Sequence, residues 1–290
     1  MKKKLLSFLL CFIVFFSLPI AVCADIGPKP SVRITFEGVE KGTEYYGTLL
    51  SERKSTGPSS AWDGISGHES YHDGEKEIWQ AFADYTDTDG YYFLQEWWEC
   101  ADTNQLNWTY YPPSKFKILL WFPETDTYFV SDIYERYAFD SYYTVDISED
   151  MSANSKLTAE KSYNYTWEII SLAARIVATI LLEILIAFIF GYREKKTLKF
   201  IAVINIFTQV GLNVALNIIN YNSGSMAFVF FFILLEIVVF IAEAVIYALL
   251  LKGFTSKTAD YLKTTAYAFA ANAASFAVGL WISHIVPGIF

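Results

Sequence analysis

Four apolar stretches in the second half of this 290-residue chain constrain it more than any other feature. They cover residues 167–190, 198–219, 226–251 and 266–285. At 1.5 Å per residue, each is long enough to cross the roughly 30 Å hydrocarbon core of a bilayer. Backbone N–H and C=O groups find no water there, so each stretch is expected as a helix, with the four packed as a transmembrane bundle.

The connections between the stretches set the expected orientation. Arg193, Lys195 and Lys196 lie between the first and second, with Lys199 at the start of the second, and Lys252, Lys257 and Lys263 lie between the third and fourth. The connection 220–225 has no Lys or Arg. Basic loops stay on the cytoplasmic side. The first span therefore runs from outside to inside, and residues 25–164 and the C-terminus lie outside. Trp167 and Trp281 fall at outer ends, where interfacial aromatics belong.

The N-terminus gives the same orientation independently. Lys2, Lys3 and Lys4 precede an apolar run, 5–20, and Val22-Cys23-Ala24 is a small-residue site of the A-x-A type. This pattern is a secretory signal, residues 1–24, with cleavage leaving Asp25 first. Cys11 and Cys23 leave with it. Cys100 then stands alone, so no internal disulfide staples the exported part.

Residues 25–164 carry 25 Asp and Glu against 11 Lys and Arg, whereas residues 165–290 carry 6 against 8. The acidity belongs to the exported part and argues against nucleic-acid binding. Alternation at Val32, Ile34 and Phe36 predicts a strand over 31–39, with 44–50 returning as its hairpin partner. Polar 51–63, with Gly57-Pro58-Ser59-Ser60, reads as a loop. Ile78, Trp79, Phe82 and Tyr85 have helical spacing. Further strands are expected at 116–122, 128–130 and 142–147. The expected fold is a sandwich-like, β-rich α+β domain, joined to the membrane by a polar linker over 149–164.

The spans hold more polar side chains than an anchor needs. Arg175, Thr179 and Glu183 recur every four residues and share a face. Asn205, Thr208, Gln209 and Asn213 share another, extended by Asn217. Glu236, Glu243 and Tyr247 share a third. In the fourth span, Ala268, Asn272, Ser275 and Gly279 form a small, weakly polar face. Counting rise along each helix predicts two layers, Arg175 with Glu236 outside and Glu183 with Glu243 and Asn205 inside. Facing lipid, each charge costs about 2.5–3.5 kcal/mol on insertion scales, so these groups should face one another. The functional reading is a site for a proton, a cation or a small polar solute; the alternative is polar glue between helices.

His68-Glu69-Ser70-Tyr71-His72 matches H-E-x-x-H, which on a helix sets two imidazoles one turn apart for zinc. Glu96 or Glu99 could complete such a set. The turn-like neighbours Ser66-Gly67 and Asp73-Gly74 point instead to an exposed loop, so His68 and His72 are expected to bind no metal, and no cofactor is expected. The dense rings of 91–111 (Tyr91, Trp97, Trp98, Trp108 and others) read as core packing with a wet rim, the alternative being a surface for sugars or cationic ligands.

Asp25-Ile26-Gly27-Pro28-Lys29-Pro30-Ser31, Phe116-Lys117-Ile118-Leu119-Leu120 with Phe122-Pro123-Glu124, and Tyr137-Ala138-Phe139-Asp140-Ser141 resemble segments of a family of uncharacterised multipass membrane proteins of Gram-positive anaerobes. Asn205 to Thr208, and a later span with Glu236 and Glu243, are similar to a wider set. The resemblance implies the architecture and no particular activity. The expected protein is thus a multipass plasma-membrane protein whose expected partner is the lipid bilayer and whose extracellular ligand is open. Its role is transport-like or sensory, through the buried Glu/Asn cluster. The alternatives are a membrane-bound hydrolase or a non-catalytic display protein.

Overall fold

The computed structural model describes residues 27–147, 156–251 and 261–285. The expected signal peptide, 1–24, its cleavage site and the Lys252–Lys257 part of the second basic loop lie outside them. The described chain is a β-rich N-terminal region followed by long apolar helices.

Among the described residues, eleven strands precede the long helices. A four-stranded sheet has the order β11 (Ala159–Lys161), β10 (Asp140–Asp146), β1 (Ser31–Glu37), β6 (Gln105–Trp108). The second sheet has the order β5 (Trp98–Glu99), β2 (Tyr46–Ser51), β7 (Lys115–Phe122), β8 (Thr127–Val130), with β9 (Tyr134–Glu135) also paired to β7. A small hairpin, β3 (Ser55–Thr56) with β4 (Ser59–Ser60), occupies part of the segment expected as a loop. The two sheets share one core. Val32, Ile34, Phe36, Leu106 and Val145 come from the first, and Leu49, Phe116, Ile118 and Leu120 from the second.

β7 shows why a strand here can be apolar without alternating. Phe116, Ile118 and Leu120 enter the inter-sheet core. Leu119 and Trp121 point the other way, under helix α1 (Lys76–Asp84), where they meet Trp79 and Phe82. A strand covered on both faces has no side to give to water.

Two sequence expectations are corrected. β1 and β2 are not a hairpin: β1 pairs in parallel with β10 and antiparallel with β6, while β2 lies in the opposite sheet against β7. The segment 149–164 is also more than a linker. Its described part includes β11, which pairs with β10, and Leu157, which is buried in the core.

Three helices follow, α2 (Thr166–Ile189), α3 (Lys195–Leu250) and α4 (Tyr261–Ile285). Two of them, α2 over Leu172–Ile189 and α3, are long and apolar enough to cross a membrane. A straight helix of the 56 residues in α3 would be about 84 Å long. It is not straight: Gly224, at φ 79° and ψ 179°, breaks it. The halves 195–223 and 225–250 fold back on each other, since Thr208 Oγ1 lies 2.6 Å from Glu243 Oε1 and Leu216 clusters with Phe228.

The β-rich domain meets this turn. The Phe139 N–H donates to the Tyr221 carbonyl at 2.8 Å. The Phe139 ring occupies the place where any side chain at position 224 would go, 2.6 Å from an ideal Cβ. Tyr221 also stands against the rings of Tyr137 and Tyr163. At the opposite end of the helices, Lys263 Nζ lies 5.0 Å from the Tyr192 ring, bringing the start of α4 to the basic connection between α2 and α3.

Candidate functional site

The polar faces of α2, α3 and α4 converge. The Glu183 carboxyl of α2 is buried and accepts from Asn205 Nδ2 at 2.5 Å and from the hydroxyls of Tyr247 and Tyr267, each at 3.4 Å. The Glu243 carboxyl, also buried, accepts from Thr208 Oγ1 at 2.6 Å and Asn272 Nδ2 at 2.9 Å. Asn205 and Thr208, one helical turn apart on α3, thus each hold one of the two carboxyls, which places Glu183 and Glu243 in one polar cluster. Asn205 Nδ2 further reaches the Ile201 carbonyl at 3.1 Å and Tyr247 Oη at 3.0 Å, while Asn205 Oδ1 is buried with no hydrogen-bond partner among the described residues.

The apolar background makes this convergence possible. Along α3 the buried positions include Ile201, Asn205, Gln209, Leu212, Asn213 and Leu216, the three- and four-residue spacing of one helix face. Outward positions such as Phe207 and Ile189 stay exposed. Interhelical hydrogen bonds in such a setting contribute about 0.6–2 kcal/mol each.

A second layer lies beside the first. Arg175 Nη1 donates to Asn213 Oδ1 at 3.4 Å, and the guanidinium sits 5.4 Å from the Phe232 ring centroid. Asn213 Nδ2 donates to the Gln209 carbonyl at 2.8 Å. Arg175, Thr179, Gln209 and Glu236 line a small space of about 10 Å³, at the lower limit for one water molecule. Among the residues singled out by sequence, Glu183, Asn205, Glu243 and Asn272 form the first layer, and Arg175, Gln209, Asn213 and Glu236 the second.

Tyr267 is a member that the sequence reading missed. It is fully buried, and its ring packs on those of Tyr247 and Tyr192. The signal was present: Thr264, Tyr267, Ala268, Ala271 and Asn272 are all buried, a helical stripe one position to the side of the small-residue face.

The H-E-x-x-H segment lies in irregular chain between turns at 66–67 and 73–74 and not on a helix. His68 Nδ1 is 3.0 Å from Asp63 Oδ2, and Glu69 accepts from the Gly67 N–H at 2.6 Å. Glu96 is engaged elsewhere, by the Ser59 hydroxyl at 3.1 Å. Among the described residues no group of three or more His, Cys, Asp or Glu is gathered to hold a metal. The aromatic-rich segment divides: Phe93 and Trp108 are buried, whereas Tyr92, Tyr110 and Tyr111 are exposed.

The β-rich domain has its own buried charge. Lys117 Nζ lies 2.8 Å from Asp87 and 2.5 Å from Asp89, with its side chain only 4% exposed. Burial alone would lower the lysine, but the bonds from Asp87 and Asp89 outweigh it and hold it above its ordinary value. Asp89 is held below the usual carboxylate range by its hydrogen bond from Lys117. Cys100 is free and buried, and that burial pushes its thiol up to about 12. It is a packing residue, not a nucleophile.

Comparison with known proteins finds no match to a family model, a curated protein or a solved structure.

Proposed function

We propose that this is a multipass plasma-membrane protein with a transport-like or sensory role, whose Glu183–Glu243 pair takes up one proton or a cation in its place. The halves of α3, with α2 and α4, make four spans. The β-rich domain is extracytoplasmic, and the basic connection between α2 and α3 is cytoplasmic.

The gathering of two buried carboxyls into one hydrogen-bonded cluster carries the reading. Ionised carboxylates only accept hydrogen bonds. Two of them held close together, away from water, repel each other, and a proton or a cation relieves that repulsion. Asn205 Oδ1 adds a further buried acceptor to the same place. Polar glue would pair donors with acceptors, whereas this cluster has acceptors in excess. The orientation is supported by the docking of the β-rich domain on the 220–225 turn and by the gathering of Lys263 and Tyr192 at the other end.

Infrared difference spectroscopy on the purified full chain tests the pair. A protonated carboxyl band is expected at neutral pH, absent in Glu183→Gln and in Glu243→Gln, with expression and thermal stability kept. Both carboxyls ionised with no bound cation would defeat the reading. Orientation is tested by impermeant maleimide on intact cells. Cysteines at the exposed Asn222 and Ser223 should react and one at Lys195 should not, with buried Cys100 adding little background.

A further inference from the structure

Thr208 stands among three oxygens with one hydrogen to give. Its Oγ1 lies 3.1 Å from the Ile204 carbonyl, 3.2 Å from the Asn205 carbonyl and 2.6 Å from Glu243 Oε1. A carbonyl only accepts, and a threonine within a helix can give its hydrogen to the carbonyl one turn back. With the hydrogen placed there, the shortest of the three contacts joins two oxygens and has no hydrogen of its own. A protonated Glu243 supplies one, donating from Oε1 to Thr208 at an ordinary O–H···O distance. Glu183 is met differently. Its Oε2 faces Asn205 Nδ2 and the hydroxyls of Tyr247 and Tyr267, all able to donate.

We propose, resting on uptake by this pair, that the ion is a proton and that Glu243 carries it on Oε1 while Glu183 stays ionised beneath its three donors. The two amides of the cluster argue against a metal cation. Asn205 Nδ2 also reaches the Ile201 carbonyl, and Asn272 Nδ2 the Ala268 carbonyl. An amide atom that bonds a carbonyl must be the nitrogen, so both amides turn N–H hydrogens toward the carboxyls and not oxygens. A hard cation such as calcium takes about six to eight oxygen ligands, and N–H groups stand where several of them would be. Asn205 Oδ1 is a single oxygen, which suits one hydrogen bond and not a coordination shell. Protonation needs no movement of heavy atoms. The bond between Thr208 and Glu243 reverses, and the Thr208 hydrogen turns to a backbone carbonyl. The pair then holds one proton and one negative charge. Among the described residues, the other titratable groups facing it are Tyr247 and Tyr267, with Arg175 and Glu236 in the next layer.

The position of the protonated-carboxyl infrared band of the full chain locates the proton. With the proton on Oε1, the carbonyl oxygen of the acid is Oε2, which accepts from Asn272. Asn272→Ala should move the band to higher wavenumber, because a carbonyl freed of a hydrogen bond has a stiffer C=O bond. Tyr267→Phe, which removes a donor from Glu183, should leave the band in place. In wild-type protein at neutral pH, sodium, potassium or calcium chloride exchanged for choline chloride at constant ionic strength should leave its amplitude unchanged. A band that stays put in Asn272→Ala, moves in Tyr267→Phe or fades with an added metal cation overturns the proposal and leaves uptake by the pair standing. Absence of the band together with no effect of any cation is the failure of uptake itself, and of this proposal with it. The cation comparison uses wild-type protein and decides between proton and metal even where a variant does not fold.

Discussion

In the β-rich domain Val32, Ile34, Phe116 and Leu120 point inward, and most of the acidic side chains stand in the open. In the helices Ile189, Phe207 and Leu262 are each more than 70% exposed, while Glu183, Asn205 and Glu243 are almost wholly buried. One chain thus carries two interiors of opposite polarity. Water rewards the first arrangement, since burying apolar area is favourable at about 25 cal/mol per Å². Hydrocarbon surroundings remove that reward and make exposed polar groups the expensive ones. The difference teaches that the two halves are built for different solvents, and that buried polar groups mean different things in each. Lys117 with Asp87 is a local exception inside an apolar core, whereas Glu183 with Glu243 belongs to a core whose polar side chains come from all three helices.

The comparison can be broken most directly with matched deletions. Phe116→Ala should cost about 3–5 kcal/mol, read as a lowered unfolding midpoint of the full chain in detergent by tryptophan fluorescence. Phe207→Ala, the same deletion on an outward helical position, should stay within about 0.5 kcal/mol. Equal losses would mean that the helices are packed as a water-soluble core. Lys117→Met should cost about 3 kcal/mol by leaving the buried Asp87 unpaired, and adding Asp87→Asn should recover part of it in the same assay.

Gly224→Ala sharpens the boundary between the two regions. It combines a positive φ with a clash against Phe139, and strain of this kind costs about 1–3 kcal/mol. Limited proteolysis should cut the junction near Tyr163 faster, while the β-core midpoint stays unchanged. The smallest effect concerns pH. Asp89 has its folded value below 3.8, so its contribution is present above that pH and is lost as pH falls through the depressed value. Lys117 is held above 10.5, so its contribution is complete below that pH and is lost only above the raised value. The unfolding midpoint of the β-rich domain should therefore carry an acid-side and an alkaline-side decline, with the acid part reduced in Asp89→Asn.

The sequence was informative where contrast was high. Polar residues every three or four positions in an apolar run stand out, which is why Arg175, Glu183 and Asn205 could be placed on inward faces. The alternation of Val32, Ile34 and Phe36 likewise announced β1. Pairing was not legible: β1 meets β10 in parallel across more than a hundred residues, and such a contact leaves no turn chemistry to read. β11 escaped notice because an edge strand with only Ala159 buried looks like a polar linker. Tyr267 escaped because the fourth face was drawn through its smallest residues, when an aromatic with a hydroxyl can serve a polar cluster equally well.

The docking of Phe139 on the Gly224 turn has a consequence for biogenesis. Phe139 is synthesised before any of the long helices, and on the orientation proposed above it is exported before Tyr221 emerges from the ribosome. β10, which begins at the next residue, can pair and fold, yet the Phe139 backbone N–H has no carbonyl to meet until the helical hairpin has been inserted and its turn delivered to the outer face. Closure of this joint must then wait for the hairpin, and it needs a hairpin threaded in the correct sense. A chain with its hairpin inverted would present a finished exported domain with an open seat, a difference that a surface protease could act on.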